Sequence, residues 1–509
     1  MTGSTLAGIR SVAALALGAA SVFGFAPFHL FALPVLTLAL LFVLWRQSAS
    51  PRAAAMLGFA FGMGFFLSGT SWIYISLHTF GGMPAALTAF ATFVFCMVVS
   101  CYPAFAGWLS LRLVRGNAGD RHPPLLVLVA MPACWTVGEL LRGYLLTGFP
   151  WLGLGYSQVP GSPLAGYAAI LGSYGVTWVT ALCAGALALL LLRLPAASLR
   201  PALLPVTVIA VAVGTGALLR TIEWTVPYGA PLRVALLQGN VAQERKFSLD
   251  ALPVIFDQYQ TMVERSDARL IILPETALPV FLHQVDGAYL DALAKHAVRN
   301  DGDLVFGVAV ADPQARAYFN TVVSAGTSPP QVYRKQHLVP FGEYLPWRPL
   351  FAWVLEVLNI PMADFTAGPR NPVPLAVAGQ HLAMSICYED AFGGEMRGQL
   401  PAATLLVNVS NDAWFGESLA AEQHWQIAQM RSLESGRMML RANNTGITGI
   451  IGTDGRTVAR LAPFTANTLS GEVQGRTGVT PYLRWGEWAI AFLLVIALVT
   501  VTVASRRVR

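Results

Sequence analysis

Apolar residues dominate the first 220 positions in long unbroken runs, give way to an alternation of short apolar and mixed stretches, and return in one run near the C-terminus. About 20 apolar residues span the roughly 30 Å hydrocarbon layer as a helix. Seven such runs are placed at 7–23, 31–45, 53–77, 85–111, 124–146, 164–192 and 202–219, and an eighth at 487–504. Arg10 near the start of the first run, followed by an apolar region, has the look of a leader peptide, but the runs that follow favour an uncleaved first helix.

The charges between these runs predict an orientation. Connections after the second, fourth and sixth runs carry Arg46 and Arg52, then Arg112, Arg115 and Arg121, then Arg193 and Arg200. Those around Pro27, Gly82 and Pro150 carry no Lys or Arg, while Arg506, Arg507 and Arg509 close the chain. Positive charge stays on the cytoplasmic side. Both termini are therefore expected in the cytoplasm, and residues 221–484 on the opposite face, which in a bacterium-like envelope is the periplasm. Composition agrees: 55% of residues are hydrophobic, only 12% are charged, and mean hydropathy is +0.56, which excludes an ordinary soluble domain. The net charge of +6 lies at the edges of apolar runs, so it points to membrane orientation and not to nucleic acid. Within the fifth run Glu139 and Arg142 stand three residues apart on one helix face, where they can pair or mark a functional lining.

Residues 221–484 read differently, as one α/β domain. Strands are expected at 233–239, 269–273 and 304–310, edge strands over 322–332 and 332–335, and helices at 252–264, 286–299 and 420–440. A hairpin joins 447–451 to 457–461 around Asp454 and Gly455. The stretch 381–414 holds two dense Leu/Ile/Val runs that predict buried parallel strands. Cys387 closes the first of them, where α/β folds place chemistry.

Of five cysteines, four (Cys96, Cys101, Cys134, Cys183) fall in the membrane runs, so Cys387 has no disulfide partner in its own domain. It is either a buried core thiol or a nucleophile, and a lone thiol facing an oxidising compartment favours the second. A nucleophile needs a base and oxyanion donors; Glu275 and Lys335 lie at other strand ends. Alone, each reads as an ordinary cap or solvated residue. No clustered His/Cys pattern predicts a metal.

Together the segments PETA (Glu275), YRKQHLVPFGEYLP (Lys335, Glu343) and ICYED (Cys387, Tyr388, Glu389) resemble the signatures of the carbon-nitrogen hydrolase (nitrilase) superfamily. With eight spans, the chain is similar to the membrane-embedded branch of that superfamily, the apolipoprotein N-acyltransferase family. The resemblance implies an αββα sandwich inserted in a polytopic helical membrane protein, with seven helices in 1–220, the catalytic domain in 221–484, and the last helix with its basic tail in 485–509. It implies Glu275 as general base, Cys387 as nucleophile, and Lys335 with the backbone N–H of Tyr388 as oxyanion donors. Glu343, Tyr388 and Glu389 would support them. The implied reaction carries an acyl chain from a membrane phospholipid, such as phosphatidylethanolamine, through a Cys thioester to the α-amine of a diacylglyceryl-cysteine on an apolipoprotein. It needs no cofactor, metal or nucleic acid, and a monomer suffices.

Phe247 stands where that family is expected to carry Trp, so any indole-specific role is in doubt, while Gln238 and Asn240 read as strand-end hydrogen-bonders. The 345–365 segment, with Trp347, Phe351 and Trp353, is either a buried helix or an aromatic arm at the lipid interface, and the Trp414 turn is a second such contact. Two rivals remain: a membrane-anchored amidase hydrolysing a C–N bond with the same triad, and a non-enzymatic receptor or transporter.

Overall fold

The computed structural model describes residues 3–114, 124–193, 200–347, 349 and 364–507. The chain forms two compact units, one of residues 1–73, 86–222 and 484–509, the other of residues 74–85 and 223–483.

The first unit is helical. Among the described residues seven helices are long and apolar enough to cross a membrane: Leu6–Gly24, Pro51–Gly69, Ala85–Leu113, Leu125–Thr147, Pro163–Leu192, Ala202–Leu219 and Trp488–Arg506. The remaining expected span, Ala32–Arg46, is an apolar helix of 15 residues. Gly18 and Gly64 let the first and third of these eight helices touch, since a Cβ on either would strike the other's backbone. The run expected to continue to position 77 ends at Gly69, where Thr70 donates its hydroxyl to Phe66 O and closes the last turn. The chain belongs structurally with polytopic membrane proteins.

Glu139 and Arg142 do not pair as their spacing suggested. Glu139 accepts from Trp135 Nε1 (3.0 Å), Thr177 Oγ1 (2.9 Å) and Leu154 N (2.9 Å). Arg142 donates to the carbonyls of Phe149 and Trp151, both at 2.5 Å. The two charges instead fasten the irregular 149–154 segment, whose backbone groups need partners once water is excluded.

The second unit is an α/β sandwich. One sheet has the order β13-β1-β2-β4-β5-β6, with β3 beside β4; the other runs β12-β11-β10-β9-β8-β7. The strands are β1 Val226–Gln238, β2 Leu270–Ile272, β3 Leu278–Phe281, β4 Asp303–Asp312, β5 Ala317–Gly326, β6 Val332–Arg334, β7 Leu375–Val377, β8 Gln380–Ile386, β9 Leu405–Ser410, β10 Met439–Asn443, β11 Gly449–Ile451, β12 Thr457–Arg460 and β13 Asn467–Thr477. Alternation along each strand sends Leu232, Val234 and Leu236 of β1 into a shared core with Leu382, Met384 and Ile386 of β8, Val407 of β9 and Leu440 of β10. The opposite faces are covered by helices: Ala235 and Leu237 pack with Ile255 and Leu293, and Ala383 and Leu406 with Trp425 and Ala428. This gives the four layers helix, sheet, sheet, helix.

β8, β9 and β10 are parallel, so their carboxyl ends open on one side. The helix expected over 420–440 stops at Ser435 because Gly436 adopts a left-handed conformation (φ 64°) and turns the chain into β10. The first half of β1 and all of β13 escaped the sequence reading; they form an antiparallel pair along a largely exposed edge rich in Thr, Ser, Gly and Gln, which carries little hydrophobic pattern.

Candidate active site

Cys387 follows the last residue of β8 and holds φ at +55°. For a residue with a side chain this left-handed backbone costs about 1–3 kcal/mol. Ile386 beside it is completely buried in the shared core, worth about 1.5–3 kcal/mol, so the strand end holds the strained turn in place. The strain presents a partly exposed thiol at the rim of the sheet.

Two other strand ends carry charges that act on the Cys387 thiol. Glu275 follows β2; its Oε1 accepts from Asn320 Nδ2 (2.8 Å) and lies 3.6 Å from Lys335 Nζ. Lys335 follows β6, is 1% exposed, and its Nζ lies 2.9 Å from both carboxylate oxygens of Glu343. Glu343 Oε1 also accepts from Asn320 Nδ2 (2.9 Å), and its Oε2 from Val339 N (2.9 Å). Burial works against a charged Lys335, but Glu343, then Glu275 and Cys387, outweigh it and hold the ammonium well above its ordinary range. Burial, reinforced by Glu275, pushes the Cys387 thiol far up, while Lys335 and a hydrogen bond with Ser410 pull the other way. The resting sulfur is therefore a thiol, and its activation needs a base. All of Glu275's side-chain contacts among the described residues converge on Oε1, which leaves Oε2 to accept a proton.

Glu389 joins the turn to β6. Its Oε1 accepts from the backbone N–H of Gln336 (2.6 Å) and His337 (3.0 Å), and its Oε2 from Tyr333 Oη (2.8 Å) and Ile386 N (2.6 Å). Burial first, against the opposing pull of Lys335, raises its carboxyl to about 7. Tyr388 lies on the other side of the turn, its ring edge-on to Phe392 and His337.

Sequence reasoning missed three participants. Asn320 on β5 bridges Glu275 and Glu343. Lys246, 2% exposed, donates to the backbone oxygen of Glu275 (3.2 Å); burial, partly offset by Glu275, lowers its amine to about 8. Beneath Cys387, Asp390, Asp412, His424 and Arg441 form a buried square of charges: His424 contacts Asp390 (2.8 Å) and Asp412 (3.0 Å), and Arg441 does the same at 2.9 and 3.2 Å. Only a buried Lys one residue before Phe247 offered a local signal. The members of the square lie up to 51 residues apart, and apart from Asp390, which closes the ICYED segment, none is marked by its neighbours.

Of the remaining expected residues, Phe247 is half-buried. Gln238 and Asn240 bond the carbonyls of Ala462, Thr465 and Phe464 as strand-end hydrogen-bonders. Trp347 is 60% exposed beside the Glu343 turn, whereas Trp353 and Phe351 lie outside the described residues. Trp414 lies in the turn after β9, where its carbonyl accepts from Ser76 Oγ (2.7 Å) and its ring meets Phe80 edge-on. Among the described residues no group of three His, Cys, Asp or Glu side chains is arranged to hold a metal.

Known proteins resemble this chain in both units. The family described as the apolipoprotein N-acyltransferase N-terminal domain matches residues 17–186, and the carbon-nitrogen hydrolase family matches residues 233–482. A Nitrosomonas europaea protein named apolipoprotein N-acyltransferase is 46% identical over 97% of this chain and 97% of its own length. Proteins of the same name from Chromobacterium violaceum and Methylococcus capsulatus are 43% and 44% identical, covering 96% and 95% of this chain and 93% and 94% of theirs.

Proposed function

Because the chain belongs to the apolipoprotein N-acyltransferase family, we propose that it is a bacterial membrane enzyme that transfers an acyl chain from a phospholipid to the N-terminal amine of a diacylglyceryl-apolipoprotein. The observation that carries this reading is the strained Cys387 turn, whose thiol feels the charges of both Glu275 and Lys335, in a chain with seven helices, among the described residues, long and apolar enough to cross a membrane.

In the first half-reaction Glu275 takes the thiol proton as Cys387 Sγ attacks the ester carbonyl of the phospholipid. Lys335 and the Tyr388 N–H stabilise the oxyanion that forms. Its collapse breaks the C–O bond, and the lysophospholipid leaves with the proton held by Glu275. In the second, the apolipoprotein amine attacks the thioester, Glu275 takes one amine proton, and the thiolate that departs recovers it. Glu343 and Asn320 hold the Lys335 ammonium and the Glu275 carboxylate in register, and Glu389 holds the turn. The two half-reactions together return Cys387 to a thiol and Glu275 to a carboxylate, so no cofactor enters.

Both substrates are anchored in lipid, so the α/β unit works at the bilayer surface. The arginine-bearing connections support a periplasmic position for it and cytoplasmic termini. Phosphatidylethanolamine vesicles added to sealed right-side-out membranes are expected to produce a hydroxylamine-sensitive mass gain of one acyl chain on Cys387, passed on to a diacylglyceryl-peptide. Hydrolysis without an adduct or transfer would favour an amidase, and labelling only in inverted membranes would reverse the orientation.

Trp347, Trp353 and Trp414 are proposed to contact lipid at the interface, on the strength of Trp347's exposure and of its place beside the Glu343 turn. Replacing Trp347 and Trp353 together by Ala is expected to lower turnover on bilayer lipid about tenfold while sparing a detergent-dispersed donor. Equal turnover on bilayer lipid would remove the arm from the mechanism.

A further inference from the structure

We propose that Asn408 and His424 are positioning residues that aim the Tyr388 N–H by gripping the Cys387 carbonyl from the opposite side. The inference rests on the reading of that N–H as an oxyanion donor. Carbonyl and N–H of one trans peptide point in opposite directions, and the Cys387–Tyr388 bond is not among the cis peptides of this fold. Whatever fixes the carbonyl of Cys387 therefore fixes the direction of the Tyr388 N–H.

Two side chains do so. Asn408, completely buried on β9, donates from Nδ2 to Cys387 O at 3.0 Å and to Ser385 Oγ at 3.0 Å. His424 Nε2, also completely buried, lies 3.3 Å from Cys387 O and 2.8 Å from Asp390 Oδ1. Both neighbours are acceptors, so Nε2 carries the proton and shares it between them. The square of Asp390, Asp412 and Arg441 fixes the imidazole: Asp412 Oδ1 contacts Nδ1, and Arg441 bridges the two carboxylates.

The orientation of Asn408 is itself informative. Its Oδ1 is buried and has no hydrogen-bond partner among the described residues, a deficit worth about 1–3 kcal/mol. Rotating the amide by half a turn would give no relief, because an oxygen would then face the Cys387 carbonyl, which can only accept. A side chain chosen for stability alone would not be left in this state; one chosen to deliver two donors from a single nitrogen would. The grip has a reason in the turn. At a positive-φ residue the following peptide can flip, exchanging carbonyl and N–H. That exchange would turn the carbonyl's negative end toward the developing oxyanion.

The test separates acyl chemistry, which needs an oxyanion donor, from alkylation of the thiol, which does not. Asn408→Leu keeps the branched heavy-atom outline of the side chain and removes both donors together with the orphaned acceptor. With phosphatidylethanolamine as donor, thioester formation on Cys387 is expected to fall about 10²-fold, the range for loss of one preorganised donor, with little change in KM. Alkylation of Cys387 by iodoacetamide is expected to stay within about threefold of wild type. Should Asn408→Leu fail to fold, Asn408→Thr, β-branched and too short to reach the carbonyl, is read by the same two assays. Thioester formation within threefold of wild type overturns the proposal, and so does an equal loss in both assays, which would mean a displaced thiol. If the wild-type protein forms no thioester, the acyl-transfer reading itself fails and takes the proposal with it.

Discussion

Acyl transfer by Cys387→Ala is expected to fall at least about 10³-fold below wild type, with an unfolding temperature within a few degrees of it. The two halves of this result have separate causes. The fold depends little on the sulfur: apart from its hydrogen bond with Ser410, the contacts that hold the turn run to the Cys387 backbone oxygen and to Ile386 N, and an alanine keeps both. Alanine at φ +55° carries the same backbone strain as cysteine, so the turn gains no relief by the change. The reaction, in contrast, loses the atom proposed to carry the acyl group, and no other cysteine among the described residues of the α/β unit replaces it. Cys387→Ser is expected to be nearly as inactive, because a hydroxyl is far harder to ionise than a thiol beside the same base. Turnover of a diacylglyceryl-peptide, measured with thermal unfolding, decides the matter. An alanine variant keeping a tenth of wild-type activity would point to another nucleophile, and one keeping all of it to a non-enzymatic role.

What could be read from the sequence follows from where the information lies along the chain. The membrane helices were legible because lipid imposes a continuous apolar length, and β8 and β9 because their dense Leu, Ile and Val runs end in polar residues. Glu275, Lys335 and Cys387 stood out as polar residues at strand ends; Lys335 lies 3.6 Å from Glu275, and the charges of both act on the Cys387 thiol. Boundaries set by a single backbone conformation were harder: Gly436 ends a helix that apolar content alone would carry to Leu440. The pairing of Glu139 with Arg142 misled because spacing on one helix says nothing of the 149–154 segment that claims both. Asn408, His424 and Arg441 were invisible for a similar reason. Each is an ordinary polar residue in its own segment, and only the parallel order of β8, β9 and β10 sets them under the Cys387 turn.

Lys335→Met is expected to be both inactive and unstable, and the two defects can be separated. The ammonium lies against Glu343 and 3.6 Å from Glu275, and all three are largely buried. Without it the two carboxylates share only the Asn320 amide, and removing one partner of a buried ion pair costs about 3–5 kcal/mol. One carboxyl then escapes the repulsion by taking up a proton, so its folded-state pKa rises above the unfolded value of about 4.3. Stability of the variant is accordingly greatest in acid and is lost as pH rises through that raised value; its deficit against wild type should be larger at pH 8 than at pH 5. Adding Glu343→Gln removes the second carboxylate and is expected to restore most of the stability at pH 8. Activity should stay down at least about 10²-fold, because the oxyanion still lacks its charged donor. If the double variant instead recovered more than a tenth of wild-type turnover, Lys335 would be a counter-ion for Glu343 and the oxyanion would have to be held by backbone alone.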